Sequence, residues 1–186
     1  MHEGIVFAGF GGQGALFAGQ LVTYASMDAG WEVTWIPSYG PEMRGGTANC
    51  TVVIADEEIG SPLVLNPRGV IALNLPSFDK YEPLVVSGGA LIVNASLVNR
   101  PVRRTDLLST LIQANEIAES LGDRRLINIV MLGALVTHLP VLTLEDLERS
   151  LENHLPERHR KLLPLNLNAL RAGSDFVRKE LTKEAA

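Results

Sequence analysis

Gly9-Phe10-Gly11-Gly12-Gln13-Gly14 is the first stretch whose residue types and spacing suit chemistry. It satisfies G-x-G-x-x-G and lies directly between an apolar run, residues 4–10, and a segment of helical periodicity, residues 13–29. In that context Gly9 allows a tight turn, Gly11 lets backbone approach a ligand, and Gly14 lets the helix pack on the strand. The helix start offers free N–H groups and a partial positive charge, an arrangement suited to an anion. A dinucleotide site needs, in addition, an acidic residue near the end of the second strand for the ribose hydroxyls. Val33-Thr34-Trp35-Ile36-Pro37-Ser38 contains none; Glu32 precedes that strand, Asp28 belongs to the helix, and no arginine offers an NADP-type contact. The motif alone leaves three readings open: tight packing with no ligand, a dinucleotide site, or a site for another phosphate or carboxylate.

The second candidate is Tyr39-Gly40-Pro41-Glu42-Met43-Arg44-Gly45-Gly46, within a glycine- and proline-punctuated loop over residues 38–46. That loop exceeds the ~4–6 residues typical of a connection, which favours a functional one. In a parallel sheet the loops leaving the carboxyl ends of the first two strands gather on one edge, so this loop is expected beside Gly11–Gly14. Arg44 offers a fork of donors for a carboxylate or phosphate, and Gly45 and Gly46 leave room for a ligand or partner. The alternative is that Glu42 and Arg44 make structural ion pairs and Tyr39 packs.

Other residue types argue by what they exclude. One cysteine in 186 residues cannot make an internal disulfide, a four-thiolate zinc site or an iron–sulfur cluster. Cys50 lies on the alternating run 47–55, sharing a face with Ala48, Val52 and Ile54, and is expected inward. His138 and His154 fall within helices, where a surface or hydrogen-bonded role outweighs a catalytic one. No G-x-S-x-G elbow supports a serine nucleophile. Sixteen Lys+Arg against twenty-one Asp+Glu give a net charge of −5, with no basic stripe for nucleic acid. Arg103–Arg104, Arg124–Arg125 and residues 158–161 are short clusters that suit helix ends or partner contacts.

The elements that must position these residues alternate strand and helix in the first half and are mainly helical in the second. Residues 4–10 predict a strand buried on both faces, 33–36 a second strand stopped by Pro37, and 47–55 a third. Residues 70–74 and 90–94 predict parallel strands, each preceded by Gly and closed by Asn. Residues 107–121 read as a short strand or turn running into a helix around 115–121. Residues 127–139 are apolar almost all round, a central buried helix. Thr143-Leu144-Glu145-Asp146 resembles a capping box opening a helix to about Leu155. Residues 157–183 read as helical, with Pro164 interrupting and 182–186 frayed. This order predicts one α/β domain over residues 1–186. The N-terminus lacks a secretory pattern, and the longest apolar stretch, 129–136, is too short to span a bilayer. A soluble, cytoplasmic protein is expected, with no membrane or nucleic-acid partner.

The two loops together, about two dozen residues apart, resemble the gamma subunit of 2-oxoacid:ferredoxin (acceptor) oxidoreductases. Gly60-Ser61-Pro62, Gly88-Gly89-Ala90-Leu91-Ile92-Val93-Asn94, Asn128-Ile129-Val130-Met131-Leu132-Gly133 and Asn166-Leu167-Asn168-Ala169-Leu170 through Gly173 follow in the family's order, to about Phe176. Two departures stand out. Asn66-Pro67-Arg68-Gly69 lacks the family's acidic residue before the strand, and Gln113-Ala114 replaces a common Pro-Ala pair. The resemblance implies a Rossmann-like three-layer fold, a mostly parallel sheet with helices on both faces and a helical C-terminal part. It further implies a subunit of an enzyme that oxidatively decarboxylates a 2-oxoacid to an acyl-CoA, with 2-oxoglutarate placed before pyruvate, branched-chain oxoacids and indolepyruvate. Thiamine diphosphate, Mg²⁺ and iron–sulfur clusters would sit on alpha, beta and ferredoxin-like delta chains, with ferredoxin as acceptor and coenzyme A as co-substrate. Nothing here matches a G-D-G thiamine motif, so this chain would bind no such cofactor and catalyse nothing alone. Its two loops would face the alpha/beta active site, ordering a partner loop or binding part of coenzyme A. Two other classes stay open: a free-standing nucleotide-binding oxidoreductase and a non-catalytic anion-binding regulatory module. Away from its partners the chain is expected to self-associate, as a homodimer for instance.

Overall fold

The computed structural model describes residues 1–40, 45–139 and 141–184. Strand β1 (His2–Phe10) turns Ile5 and Phe7 into one apolar core and Val6 and Ala8 into another. A strand buried on both faces must lie inside a sheet covered on both sides. The sheet has six strands in the order β2-β3-β1-β4-β5-β6, with β2 Glu32–Tyr39, β3 Thr47–Ala55, β4 Gly69–Ala72, β5 Ala90–Asn94 and β6 Leu108–Ile112. The pairs β1/β4, β4/β5 and β5/β6 are parallel, whereas β3 is antiparallel to both β1 and β2. One reversed strand thus separates the first two, which still run in the same direction and end on the same edge.

The helices are α1 (Ala15–Asp28), α2 (Leu75–Tyr81), α3 (Ala114–Ser120), α4 (Ile127–His138), α5 (Leu144–His154) and α6 (Leu163–Glu184). The two layers are unequal. One face of the sheet carries the larger core, into which α1, α4, α5 and α6 pack; the other is covered by α2 and the connections around Val85 and Val98. The expected α/β architecture is therefore observed, with its helical mass concentrated on one side. No helix among the described residues is long and apolar enough to cross a membrane.

Several boundaries differ from the sequence expectation, each for a physical reason. Pro37 does not stop the second strand; β2 runs on to Tyr39 with Pro37 opposite Cys50. An edge strand has one unpaired side, so a residue without an N–H is tolerated there. Helix α1 begins at Ala15, because Gly14 holds a left-handed φ of 80° and acts as the N-cap. The fourth strand ends at Ala72, and Asn74 caps α2 instead, its side chain accepting the Ser77 N–H at 3.0 Å. Pro164 lies in the first turn of α6, where its missing N–H costs nothing, so it opens that helix rather than interrupting it. Helix α6 continues through Thr182, whose hydroxyl donates to the Arg178 carbonyl at 2.8 Å. The capping box at Thr143 and Asp146 forms as expected.

Helix α4 is apolar around its circumference because it is covered all round, by β5 on one side and α6 on the other. The α4–α6 crossing is a backbone contact. A Cβ on Gly133 would sit inside the Leu170 carbonyl, and one on Gly173 inside the Val130 carbonyl. Cys50 is fully buried on β3, its thiol donating to the Ala15 carbonyl at 3.5 Å, and burial pushes that thiol up to about 11.

Two outcomes follow from this packing. Replacing Gly133 or Gly173 by Ala forces the helices apart, and either change should cost about 3 kcal/mol in denaturant unfolding. Raising the pH from about 9 to about 11 ionises Cys50 in the unfolded chain while the folded chain keeps it neutral, so stability falls over that window. A Cys50→Ala variant should lose this component of the pH profile, and a thiol reagent at pH 8 should label Cys50 only at the rate of unfolding.

Candidate functional site

The first glycine loop is built around one glutamine. The Gln13 N–H donates to the Phe10 carbonyl at 3.0 Å, and its side chain folds back beneath the turn. Gln13 Oε1 accepts the Phe10 N–H at 2.7 Å and Asn74 Nδ2 at 2.9 Å, while Nε2 lies 3.5 Å from the Leu73 carbonyl. Gly9 is not a turn residue, as the motif suggests, but part of β1. A Cβ there would lie 2.8 Å from Gln13 Oε1 and 2.9 Å from Leu73, so its absence makes room for the glutamine. Gly12, exposed with φ 99° and nothing near its Cβ position, is required by backbone conformation alone. Gly14 packs against α4 rather than the strand. Asn128 Nδ2 donates to its carbonyl at 3.0 Å and occupies the place of a Cβ.

The second loop is joined to the first by a backbone bond. The Gly11 N–H donates to the Gly46 carbonyl at 2.9 Å, one step beyond the last strand pair, Phe10 opposite Thr47. Its base is closed by the Gly40 N–H donating to the Thr47 carbonyl at 2.8 Å, and Gly45 takes a left-handed φ of 77°. Tyr39, at the end of β2, is 56% exposed. The structure therefore brings together Gly9, Gly11, Gly12, Gln13, Gly14, Gly40, Gly45 and Gly46 on one edge. Pro41, Glu42, Met43 and Arg44 lie outside the described residues, and with them the two charged residues of the loop.

Sequence reasoning noted the asparagines of this edge but gave them no part in the site. Asn74, Asn94 and Asn128 are all buried. Asn94 Nδ2 donates to the Leu73 carbonyl at 3.4 Å and to Asn115 Oδ1 at 3.1 Å, so it continues the line that starts at Gln13. The Asn115 N–H donates to Ser96 Oγ at 3.1 Å, and the Ser96 hydroxyl in turn holds Glu116 below the ordinary carboxylate range. The signal was available: an Asn follows each of the apolar runs 70–73 and 90–93, at the end where ligands bind in such sheets.

Among the described residues this edge is lined mainly by amides and backbone N–H groups, which bind and orient but neither attack nor transfer protons at neutral pH. The first turn of α1 carries no acidic residue and no side-chain cap, so its N–H groups are free for an anion. Among the described residues no group of three or more His, Cys, Asp or Glu could hold a metal. A dinucleotide fits poorly, since β3 stands between β1 and β2 and moves the end of β2 roughly 10 Å from β1, two strand spacings away. Most of the remaining candidates are paired elsewhere. His138 lies 2.8 Å from Thr110 Oγ1, and His154 lies 2.9 Å from Asp28. Of the basic clusters, Arg124 pairs with Glu119, Arg125 with Asp123, and Arg104 with Asp106, whose carboxyl it holds down to about 2.

Comparison with known proteins bears on this arrangement. The sequence model for pyruvate ferredoxin/flavodoxin oxidoreductase matches residues 4–176. The ketoisovalerate oxidoreductase subunit VorA of Methanothermobacter thermautotrophicus is 36% identical over 184 residues, 97% of this chain but only 37% of that one. The chain thus spans little more than a third of that relative. The 2-oxoglutarate synthase subunit KorC of Methanocaldococcus jannaschii is 34% identical over 160 residues, 84% of this chain and 86% of its own. Among solved structures, the keto/oxoacid ferredoxin oxidoreductase gamma subunit of Geobacter sulfurreducens superposes with a TM-score of 0.81 at 29% identity, over 95% of this chain and 99% of that one. Both glycine loops, β2 to β6, all but the first two residues of β1 and over half of α6 fall inside the matched stretch, and the chain belongs to the pyruvate ferredoxin/flavodoxin oxidoreductase family.

Proposed function

We propose that this chain is the gamma-type subunit of a cytoplasmic 2-oxoacid:ferredoxin oxidoreductase, assembled with alpha, beta and ferredoxin-like delta chains. The observation that carries the reading is the Gly11–Gly46 hydrogen bond, which makes one surface of two loops whose described residues carry no histidine, cysteine or carboxylate. Such a surface supports a role in completing an active site that other chains supply. There it orders a partner loop or contacts coenzyme A, whose phosphates suit the free N–H groups of α1 and the guanidinium of Arg44.

The electron-transfer clusters and thiamine diphosphate with Mg²⁺ belong to the partner chains in this reading. Cys50, buried and turned into the core, does not fit cluster ligation. Among substrates, 2-oxoglutarate comes first because the KorC relative matches this chain over most of both lengths; 2-oxoisovalerate comes second, on the higher identity to VorA. Leu63 and Leu65, 76% and 81% exposed beside the start of β1, would let isolated copies associate.

Two measurements test the reading. Co-expressed with its neighbouring chains, this protein should co-purify with larger partners bearing thiamine and clusters; NAD(H) turnover by the purified chain alone would overturn the subunit role. Arg44→Ala should raise the Michaelis constant for coenzyme A about tenfold, the scale of one lost charge-assisted hydrogen bond, or else weaken assembly. If both are unchanged, the loop has neither role.

A further inference from the structure

Away from the glycine loops, α1, α4, α5 and the turn at 157–162 enclose a cavity of about 420 Å³. That volume falls in the range of small-molecule sites. Its floor is apolar, formed by Phe17, Leu126, Ile129 and Leu155. One wall is flat and fixed. The Tyr24 and His154 rings stack with centroids 4.4 Å apart and planes 14° apart. Gln20 Nε2 donates to the Tyr24 hydroxyl at 3.1 Å, and Asp28 holds His154 at 2.9 Å, so both rings are tethered. A stack tied at both ends offers an aromatic face without the entropy cost of ordering it.

The rim carries the polarity. Arg125 lies there but is clamped by Asp123 at 2.6 Å, and neighbouring Arg160 faces Glu157 at 3.6 Å. Arg158 and His159 also line the cavity, and no carboxylate among the described residues lies within ion-pair distance of either. An apolar floor, an aromatic wall and unpaired donors at the mouth complement a molecule with the reverse pattern. We infer that this cavity binds a small organic anion, an aromatic or branched apolar body seated on the floor with its carboxylate met by Arg158 and His159. The inference is independent of the subunit reading. The cavity nevertheless shares a residue with the glycine loop, because Asn128 lines it while donating to the Gly14 carbonyl.

The test uses the full chain and the aromatic sulfonate 1-anilinonaphthalene-8-sulfonate, with uncharged N-phenyl-1-naphthylamine as its neutral counterpart. One sulfonate should bind per chain with blue-shifted emission, at least about tenfold tighter than the amine, and 3-phenylpropionate should displace it. Arg158→Ala with His159→Ala should remove that preference for the sulfonate while leaving the amine unchanged. Leu162→Trp, which fills the cavity, should abolish both signals; Gln20→Trp blocks the same space from α1 and replaces it should that variant melt early. Emission that survives the filling variant, equal affinity for sulfonate and amine, an unaltered preference in the double variant, or failure of 3-phenylpropionate to compete would each overturn the inference.

Discussion

Because β3 is paired along its length with β1 on one side and β2 on the other, the ends of those two strands are fixed against each other. Phe10 lies opposite Thr47 and Tyr39 opposite Ala48, so both glycine loops leave the sheet beside the same two residues of β3. The Gly11–Gly46 bond then extends the ladder by one step past the strands. A slip of one residue would break that step and would also turn Cys50, Val52 and Ile54 out of the core. Burial of the alternate face of β3 therefore holds the register, and the register holds the loops together.

What these loops gather is a run of neutral amides. Gln13, Asn74, Asn94 and Asn115 link the ends of β1, β4 and β5 through hydrogen bonds between 2.7 and 3.5 Å. Such a line is satisfied by its own members and by the backbone of Phe10 and Leu73, which makes it rigid and leaves the first-turn N–H groups of α1 without a side-chain cap. A protein that must present a surface to reactive partners gains from groups that keep one charge state across the working pH range. The rest of the candidate chemistry is largely paired away from this edge: His138, His154 and the Arg124–Arg125 pair in the helical layer, and Arg104 on the opposite face of the sheet beside Val85.

Much of this was legible in the sequence. Apolar periodicity located the buried strands and α4, alternation turned Cys50 inward, and the place of the two glycine loops after the first two strands put them on one edge. The reversal of β3 was not legible, since alternation is the same in either direction and a long loop after β2 permits either path. Pro37 misled because a breaker signal is local, whereas its tolerance depends on β2 being an edge. The roles of Gly9 and Gly14 were also misassigned. Their neighbours are Gln13 and Asn128, and the latter lies 114 residues along the chain, beyond any spacing rule. Asn74 reads as the end of a strand until the helix it caps is in view.

The crossing of α4 and α6 has a mechanical consequence. Asn128 in the first turn of α4 grips Gly14, and Gly133 on the same helix rests on the backbone of α6. Five residues of helix separate them, about 7.5 Å of rise along a stiff axis. With backbone resting on backbone at Gly133 and Gly173, that length behaves as a strut between the last helix and the first loop. The C-terminal part of the chain, which contributes no residue to the glycine edge, thereby sets the height at which that edge stands.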